Sequence, residues 1–121
     1  VMPGISLYDF GDMARSALNS APEDEEDVSR VTARLPIFEA LVRGYLAGTG
    51  DLLNPVERAH LAISAQVITY EIGLRFLTDH LDGDIYFKVK RPGHNLIRAR
   101  NQFALLRSLE AQADQMRRIV G

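Results

Sequence analysis

Residues 54–83 constrain this chain more than any other stretch. Asn54-Pro55 is a start signal: an Asn side chain accepts from the free amides of a first helical turn, and a proline there has no amide to leave unpaired. Gly83 supplies the matching stop. Between them, apolar residues recur at Val56, Ile63, Val67, Tyr70, Leu74, Leu77 and Leu81, and a second row runs through Leu61, Ala65, Ile68, Ile72 and Phe76. The spacing predicts one long helix. Two apolar rows predict a helix packed in the middle of a domain.

At about 100° per residue, Glu57, His60, Ser64, Glu71, Arg75, Thr78 and Asp82 share a sector roughly 60° wide. That sector is entirely polar. It is either a solvated edge laced by Glu71–Arg75 pairing at i,i+4 or the lining of a site, and periodicity alone leaves both open.

The chain has 121 residues, enough for one core and too few for two ordinary domains, so a single helical domain is expected. A formal net charge of -2 supplies no general field to attract nucleic acid or an acidic membrane surface. Basic residues gather locally in Lys88-Val89-Lys90-Arg91 and at Arg98, Arg100 and Arg107, which by itself describes solvated surface. The absence of cysteine excludes a disulfide framework, thiolate zinc sites and cysteine catalysis, and leans towards a cytoplasmic location. No apolar run reaches the roughly 18 residues of a membrane span. The opening Val1-Met2-Pro3-Gly4 suggests either that Met2 is the initiator or that the chain is a piece of something longer.

Around the long helix the remaining segments fall in order. Pro3-Gly4 reads as a break, after which Ser6 caps a helix to about Asn19 with Tyr8, Met13, Ala14 and Leu18 inward, Asp9 and Asp12 near its positive end, and Gly11 as a weak point. Glu23-Asp24-Glu25-Glu26-Asp27 follows Pro22; consecutive acids repel one another and predict a mobile, solvated loop, without the spaced ligands and Gly turn of a calcium site. Pro36 opens a helix from Ile37 to about Ala47, with Phe38, Leu41, Val42, Tyr45 and Leu46 as its stripe and Gly48-Thr49-Gly50 as its stop. Asp84 to Lys90 is too short to build a sheet and reads as an extended linker laying Tyr86 and Phe87 onto the helices. The last helix runs from His94-Asn95 to about Val120, with a packing seam at Ala99, Gln102, Leu106, Leu109, Ala113, Met116 and Val120. Four helices with short connections predict an all-α, bundle-like fold.

No self-sufficient catalytic constellation is visible. His60, His80 and His94 lack the spacing of a helical zinc site, no serine sits in a nucleophile elbow, and each histidine is expected as a cap or surface group.

Three separated stretches carry a resemblance: Val1-Met2-Pro3-Gly4-Ile5-Ser6-Leu7-Tyr8-Asp9-Phe10-Gly11-Asp12; Tyr70-Glu71-Ile72-Gly73-Leu74-Arg75-Phe76-Leu77-Thr78-Asp79; and Ile85-Tyr86-Phe87-Lys88-Val89 with His94-Asn95-Leu96-Ile97-Arg98-Ala99-Arg100-Asn101-Gln102-Phe103. In order and wording they resemble the C-terminal part of the N-acetylhexosamine 1-kinases, within the aminoglycoside phosphotransferase and choline kinase superfamily. The resemblance implies the helical subdomain of a kinase C-lobe, forming one wall of a sugar pocket, with the catalytic and metal-binding aspartates upstream of Val1. It implies ATP and magnesium as cofactors of the longer parent and none in this fragment. It also implies transfer of the γ-phosphoryl to the anomeric hydroxyl of an N-acetylhexosamine. By similarity, Arg75 and Tyr86 match the sugar contacts, and Asp9 and Asp12 would tie the first helix to the missing catalytic loop. His80-x-Asp82 imitates a kinase catalytic loop only superficially, since Phe87 stands where its magnesium-binding Asn belongs.

Relatives labelled mucin desulfatases find no support here, because the nearest match to a C/S-x-P-x-R sulfatase pattern, Ser20-Ala21-Pro22-Glu23-Asp24, ends in Asp. The alternative is a stand-alone helical interaction module. A truncated kinase subdomain would expose an apolar face and could self-associate through it.

Overall fold

The computed structural model describes residues 3–49 and 55–120. Within them the chain forms five α-helices: α1 (Pro3–Leu18), α2 (Leu35–Thr49), α3 (Pro55–Leu81), α4 (His94–Ala111) and α5 (Ala113–Val120), with one 3-10 turn at Val28–Arg30. No strand occurs among the described residues; the single β-bridge joins Asn19 to Ala33. The all-α class is therefore as the sequence indicated. No described helix is long and apolar enough to cross a membrane.

Element boundaries differ in three places. The first helix begins at Pro3, using a proline in its first turn, so Ser6 lies inside the helix and Pro3-Gly4 is no break. Asp9 and Asp12 consequently sit beyond the first turn, away from the positive end. The α2 helix continues through Gly48 to Thr49. The expected last helix divides at Gln112, whose amide hydrogen is shared between the Ser108 and Leu109 carbonyls at 3.2 Å each. The Gln112 side-chain amide reaches across to the Ala33 carbonyl at 3.1 Å, anchoring the break to the loop that precedes α2. The predicted cap Asn54 and the residue Gly50 fall outside the described residues.

The core gathers Phe10, Ala14 and Leu18 of α1, Phe38 and Val42 of α2, Leu61, Ala62 and Ala65 of α3, Leu105 and Leu109 of α4, and Met116 and Val120 of α5. Phe10 sits edge-on to Phe38 at 6.1 Å and against Tyr45 at 5.1 Å. Small residues set the closest approaches to α3. At Gly11 an added methyl carbon would stand 2.8 Å from both the Ser64 carbonyl oxygen and Ile68 Cγ1, and at Gly73 it would meet the Phe103 ring at 2.8 Å. Gly11, expected to weaken α1, is the residue that lets α1 lie against α3.

The long helix is buried on one side only. Its second row is in the protein: Leu61, Ala65, Ile68 and Phe76 are buried. Its first row faces outward, with Val56, Ile63, Val67, Tyr70, Leu74 and Leu81 exposed, as is Met13 of α1. The expectation of a helix packed in the middle of the domain, with only its polar seam in question, is thus wrong for its first row. The reason is a matter of partners: α1, α4 and α5 pack against the other side of α3 and reach the outer row only at its margin, where the Tyr70 ring stands 6.5 Å from Phe103 of α4.

The acidic stretch is also unlike its prediction. Residues 19–34 close at a neck, where Ser20 N–H donates to Thr32 O and Arg34 N–H donates to Leu18 O, both at 3.0 Å. Each acid of the run then faces a base: Glu23 with Arg15 (3.1 Å), Asp24 with His94 (3.4 Å), Glu25 and Asp27 with Arg30 (3.5 and 3.6 Å), and Glu26 with Arg91 (3.6 Å). From beneath, the buried Asn101 amide donates to the Pro22 carbonyl at 2.9 Å, while its oxygen accepts from Asn19 at 2.9 Å. The run is solvated yet pinned, and self-repulsion is offset by four basic partners, Arg15, Arg30, Arg91 and His94. His94, expected as a cap or a surface group, opens α4 and is buried, so only the surface alternative is overturned. Its Nδ1 accepts the Lys90 amide at 3.2 Å, which leaves the proton of the neutral ring on Nε2 facing Asp24.

Candidate functional site

The C-terminal end of α3 and the segment that follows it build the most differentiated surface of the molecule. The helix ends as Gly83 predicts. Gly83 turns left-handed at φ 95, its amide donates to His80 O at 3.3 Å, and the next amide, of Asp84, donates to Asp79 O at 2.7 Å. This pair of bonds is the Schellman arrangement that satisfies the last carbonyls of a helix. Asp84 is itself left-handed at φ 62, a conformation Asp tolerates better than most residues.

The Asp79 side chain then holds the returning chain. Its carboxylate accepts the Tyr86 amide at 2.7 Å, the Phe87 amide at 2.9 Å and the Asn95 side-chain amide at 2.8 Å. Asn95 also donates to Asp84 at 3.0 Å, so the first turn of α4 is tied to the same latch. Burial on its own would raise the Asp79 pKa. The amides of Tyr86, Phe87 and Ile85 and the Asn95 side chain outweigh it, and the net shift is downward from the usual 3.8. Asp79 is therefore an anion committed to structure.

Arg98 completes the clamp from α4. Its guanidinium donates to the Lys88 carbonyl and to Asn95 Oδ1, each at 3.0 Å, and lies 5.5 Å from the centre of the Phe76 ring. Phe87 packs on Phe76 at 4.6 Å, and Tyr86 stands edge-on to Phe87 at 4.9 Å while remaining 79% exposed. The expectation that residues 84–90 lay their aromatics onto the helices holds for Phe87. Tyr86 instead projects from that platform into solvent.

Between this segment and α3 runs a groove of about 530 Å³, lined by Glu71, Leu74, Arg75, Thr78, Asp79, Asp82, Tyr86 and Phe87. Arg75 and Tyr86, the two residues singled out by resemblance, stand on its two sides. Arg75 pairs with Glu71 at 2.7 Å, as the i,i+4 spacing suggested, and both remain partly open to the groove. The two readings of the polar seam are thus compatible: Glu71 holds the guanidinium, and the guanidinium still faces a cavity. Other members of the seam go elsewhere. His60 is exposed and Ser64 turns its hydroxyl back to the Leu61 carbonyl at 2.9 Å.

The surface is chemically mixed. An Arg fork, carboxylates at Glu71 and Asp82 and a hydroxyl at Thr78 face an apolar strip made by Leu74, Tyr86 and Phe87. Such a lining suits a small polyhydroxylated molecule with one apolar face. Its carboxylates are partly engaged: Asp79 is taken by three donors and Glu71 by Arg75, and among the described residues no group of three or more His, Asp or Glu side chains is placed to hold a metal ion. Asp12, linked by resemblance to a catalytic loop, here pairs with Arg15 at 3.0 Å.

Sequence reasoning missed Asp79, Asn95 and Arg98, which shape the groove without lining most of it. Only Asp79 carried a local signal, an acid four residues ahead of a helix-stopping glycine. A search against protein-family models finds no match for the chain.

Proposed function

We propose that this chain is the helical, acceptor-binding part of a kinase that transfers the ATP γ-phosphoryl to the anomeric hydroxyl of an N-acetylhexosamine. One observation supports the reading above others: Arg75 and Tyr86, which lie on different elements, border one groove of a size and polarity suited to a monosaccharide. On this reading Arg75 donates to a hydroxyl or acetamido oxygen, with Glu71 fixing the fork's orientation. Tyr86 and Phe87 cover the apolar face of the ring. Their contribution to rate is positional, since holding the acceptor in line replaces an encounter in solution. Nucleotide, metal and catalytic base come from elsewhere in a longer polypeptide, and the reaction is cytoplasmic, where ATP is supplied.

The test is a steady-state phosphorylation assay on the product of the complete reading frame, with N-acetylglucosamine and N-acetylgalactosamine as acceptors. Arg75→Ala is expected to raise KM for the sugar by about 10- to 100-fold, the worth of a charge-assisted hydrogen bond, and to leave KM for ATP within about twofold. A parent that phosphorylates neither sugar, or a variant whose defect lies in ATP use, contradicts the proposal. The exposed apolar row of α3 favours a second reading, a helical interaction module without catalysis. Codons upstream of Val1 separate the two: an in-frame His-x-Asp catalytic loop favours the kinase, and a ribosome-binding site before Met2 favours the module.

A further inference from the structure

His94 stands where three segments meet. It opens α4, its Nδ1 accepts the Lys90 amide at 3.2 Å, and its Nε2 faces Asp24 of the acidic loop at 3.4 Å. The residue is 1% exposed. Both ring nitrogens are therefore committed, one as acceptor and one as donor, and only the neutral ring can fill both roles. A second proton would sit on Nδ1, directly against the Lys90 N–H. Two donors then face each other, and one must leave.

The groups around the ring decide which one. Asp24 faces Nε2, and its carboxylate attracts the ring more strongly once the ring is a cation. The other acids of the loop are turned to other bases: Glu23 to Arg15, Glu25 and Asp27 to Arg30, and Glu26 to Arg91. Positive charge comes from Lys90 and Arg91 in the segment before α4 and from the first turn of α4 itself. Arg98, one turn further along, is directed to Lys88 O and Asn95 Oδ1. From the end of α3 and the turn after it, Asp79 and Asp84 reach this turn only through the Asn95 amide. A charged ring is thus held on its Asp24 side and pushed from the basic segment. Lys90 is exposed, so its amide can turn to water, whereas the ring is enclosed.

We propose that His94 is a proton-operated catch: the neutral ring binds the segment before α4 through the Lys90 amide, and the protonated ring keeps Asp24 and releases that amide. The moving part is bounded. Tyr86 and Phe87 stay with Asp79, whose carboxyl lies below the usual 3.8 and remains ionised where imidazoles titrate, and the Lys88 carbonyl stays with Arg98. Release is therefore confined to residues 89–93. The catch is independent of the sugar reading, because these residues do not line the groove and the test contains no sugar.

Ring nitrogen shifts of His94 and exchange of the Lys90 amide, followed on the labelled 121-residue chain from about pH 8 to about pH 5, read both events. The neutral ring is expected to carry its proton on Nε2. As it titrates, the Lys90 amide is expected to lose about tenfold in protection, corrected for the intrinsic pH dependence of exchange, with the same midpoint as the ring. The Tyr86 and Phe87 amides are expected to keep theirs. In His94→Asn, a side-chain oxygen replaces Nδ1 as acceptor and nothing titrates, so Lys90 is expected to stay protected throughout. His60 and His80 remain in that variant, which assigns the response to His94. A neutral ring with its proton on Nδ1, a ring that never titrates in this range, or one that titrates while Lys90 stays protected overturns the proposal, and the wild type alone is enough to show any of these. So does a response that persists in His94→Asn.

Discussion

Replacing Asp79 with alanine is expected to lower Tm by roughly 10 °C and to release residues 84–90 from the end of α3. Three amide donors, from Tyr86, Phe87 and Asn95, converge on this one carboxylate, and its removal leaves all three to find other acceptors. Thermal unfolding followed by circular dichroism measures the stability, and amide exchange at Tyr86 and Phe87 measures the release. The same substitution should also weaken the groove, since Tyr86 is held in place by the latch. An unchanged Tm with protected amides would show that the Schellman bonds and Arg98 suffice.

The pH dependence follows from the sign of the Asp79 shift. Its folded pKa lies below the usual 3.8, so the unfolded chain takes up this proton at a higher pH than the folded one does. The stabilisation is present in full above the unfolded value and is lost as pH falls through the folded value. Wild type should therefore lose stability below about pH 4 more steeply than Asp79→Asn, and the difference between the two should shrink as acid is added.

Gly11→Val is expected to destabilise the protein by about 3 kcal/mol, the upper part of the usual range for overpacking. The new Cβ would stand 2.8 Å from the Ser64 carbonyl oxygen, and a backbone atom in the middle of a helix cannot turn aside as a side chain can. Relief requires α1 and α3 to separate, which opens the layer around Ala14 and Ala65. Gly44→Ala is the control. Nothing lies within 4 Å of its Cβ position in α2, so the gain in helix propensity acts alone and should stabilise by about 0.5–1 kcal/mol. Equal effects at the two glycines would contradict the close α1–α3 approach.

The parts of this fold that were legible in sequence are those with local causes. Both ends of α3 follow from Pro55 and Gly83, whose effects on the backbone need no distant partner. The side of α3 that is buried was not legible, because both of its rows are apolar and periodicity cannot tell which one the remaining helices cover. The acidic loop shows the same limit. Its charges predict repulsion, and its order depends on Arg15, Arg91, His94 and Asn101, residues that only tertiary structure brings near. The division at Gln112 likewise depends on a carbonyl of Ala33, far away in sequence. At the groove, the Glu71–Arg75 pairing was readable from helical spacing, while the choice of Arg75 as a site residue came from resemblance. Tyr86 came from resemblance, and of the Asp79–Asn95–Arg98 clamp that presents it only Asp79, four residues ahead of Gly83, had a local signal, since Asn95 and Arg98 belong to the next helix.

Titration of the isotopically labelled 121-residue chain with N-acetylglucosamine, N-acetylgalactosamine and glucose, followed by amide and Arg side-chain chemical shifts, addresses the groove most directly. Saturable shifts at Thr78, Tyr86, Phe87 and the Arg75 guanidinium with an N-acetylated sugar, abolished by Arg75→Ala, are the predicted result. Shifts that never saturate, that fall outside the α3–loop groove, or that persist unchanged in Arg75→Ala would contradict a sugar-binding role for it.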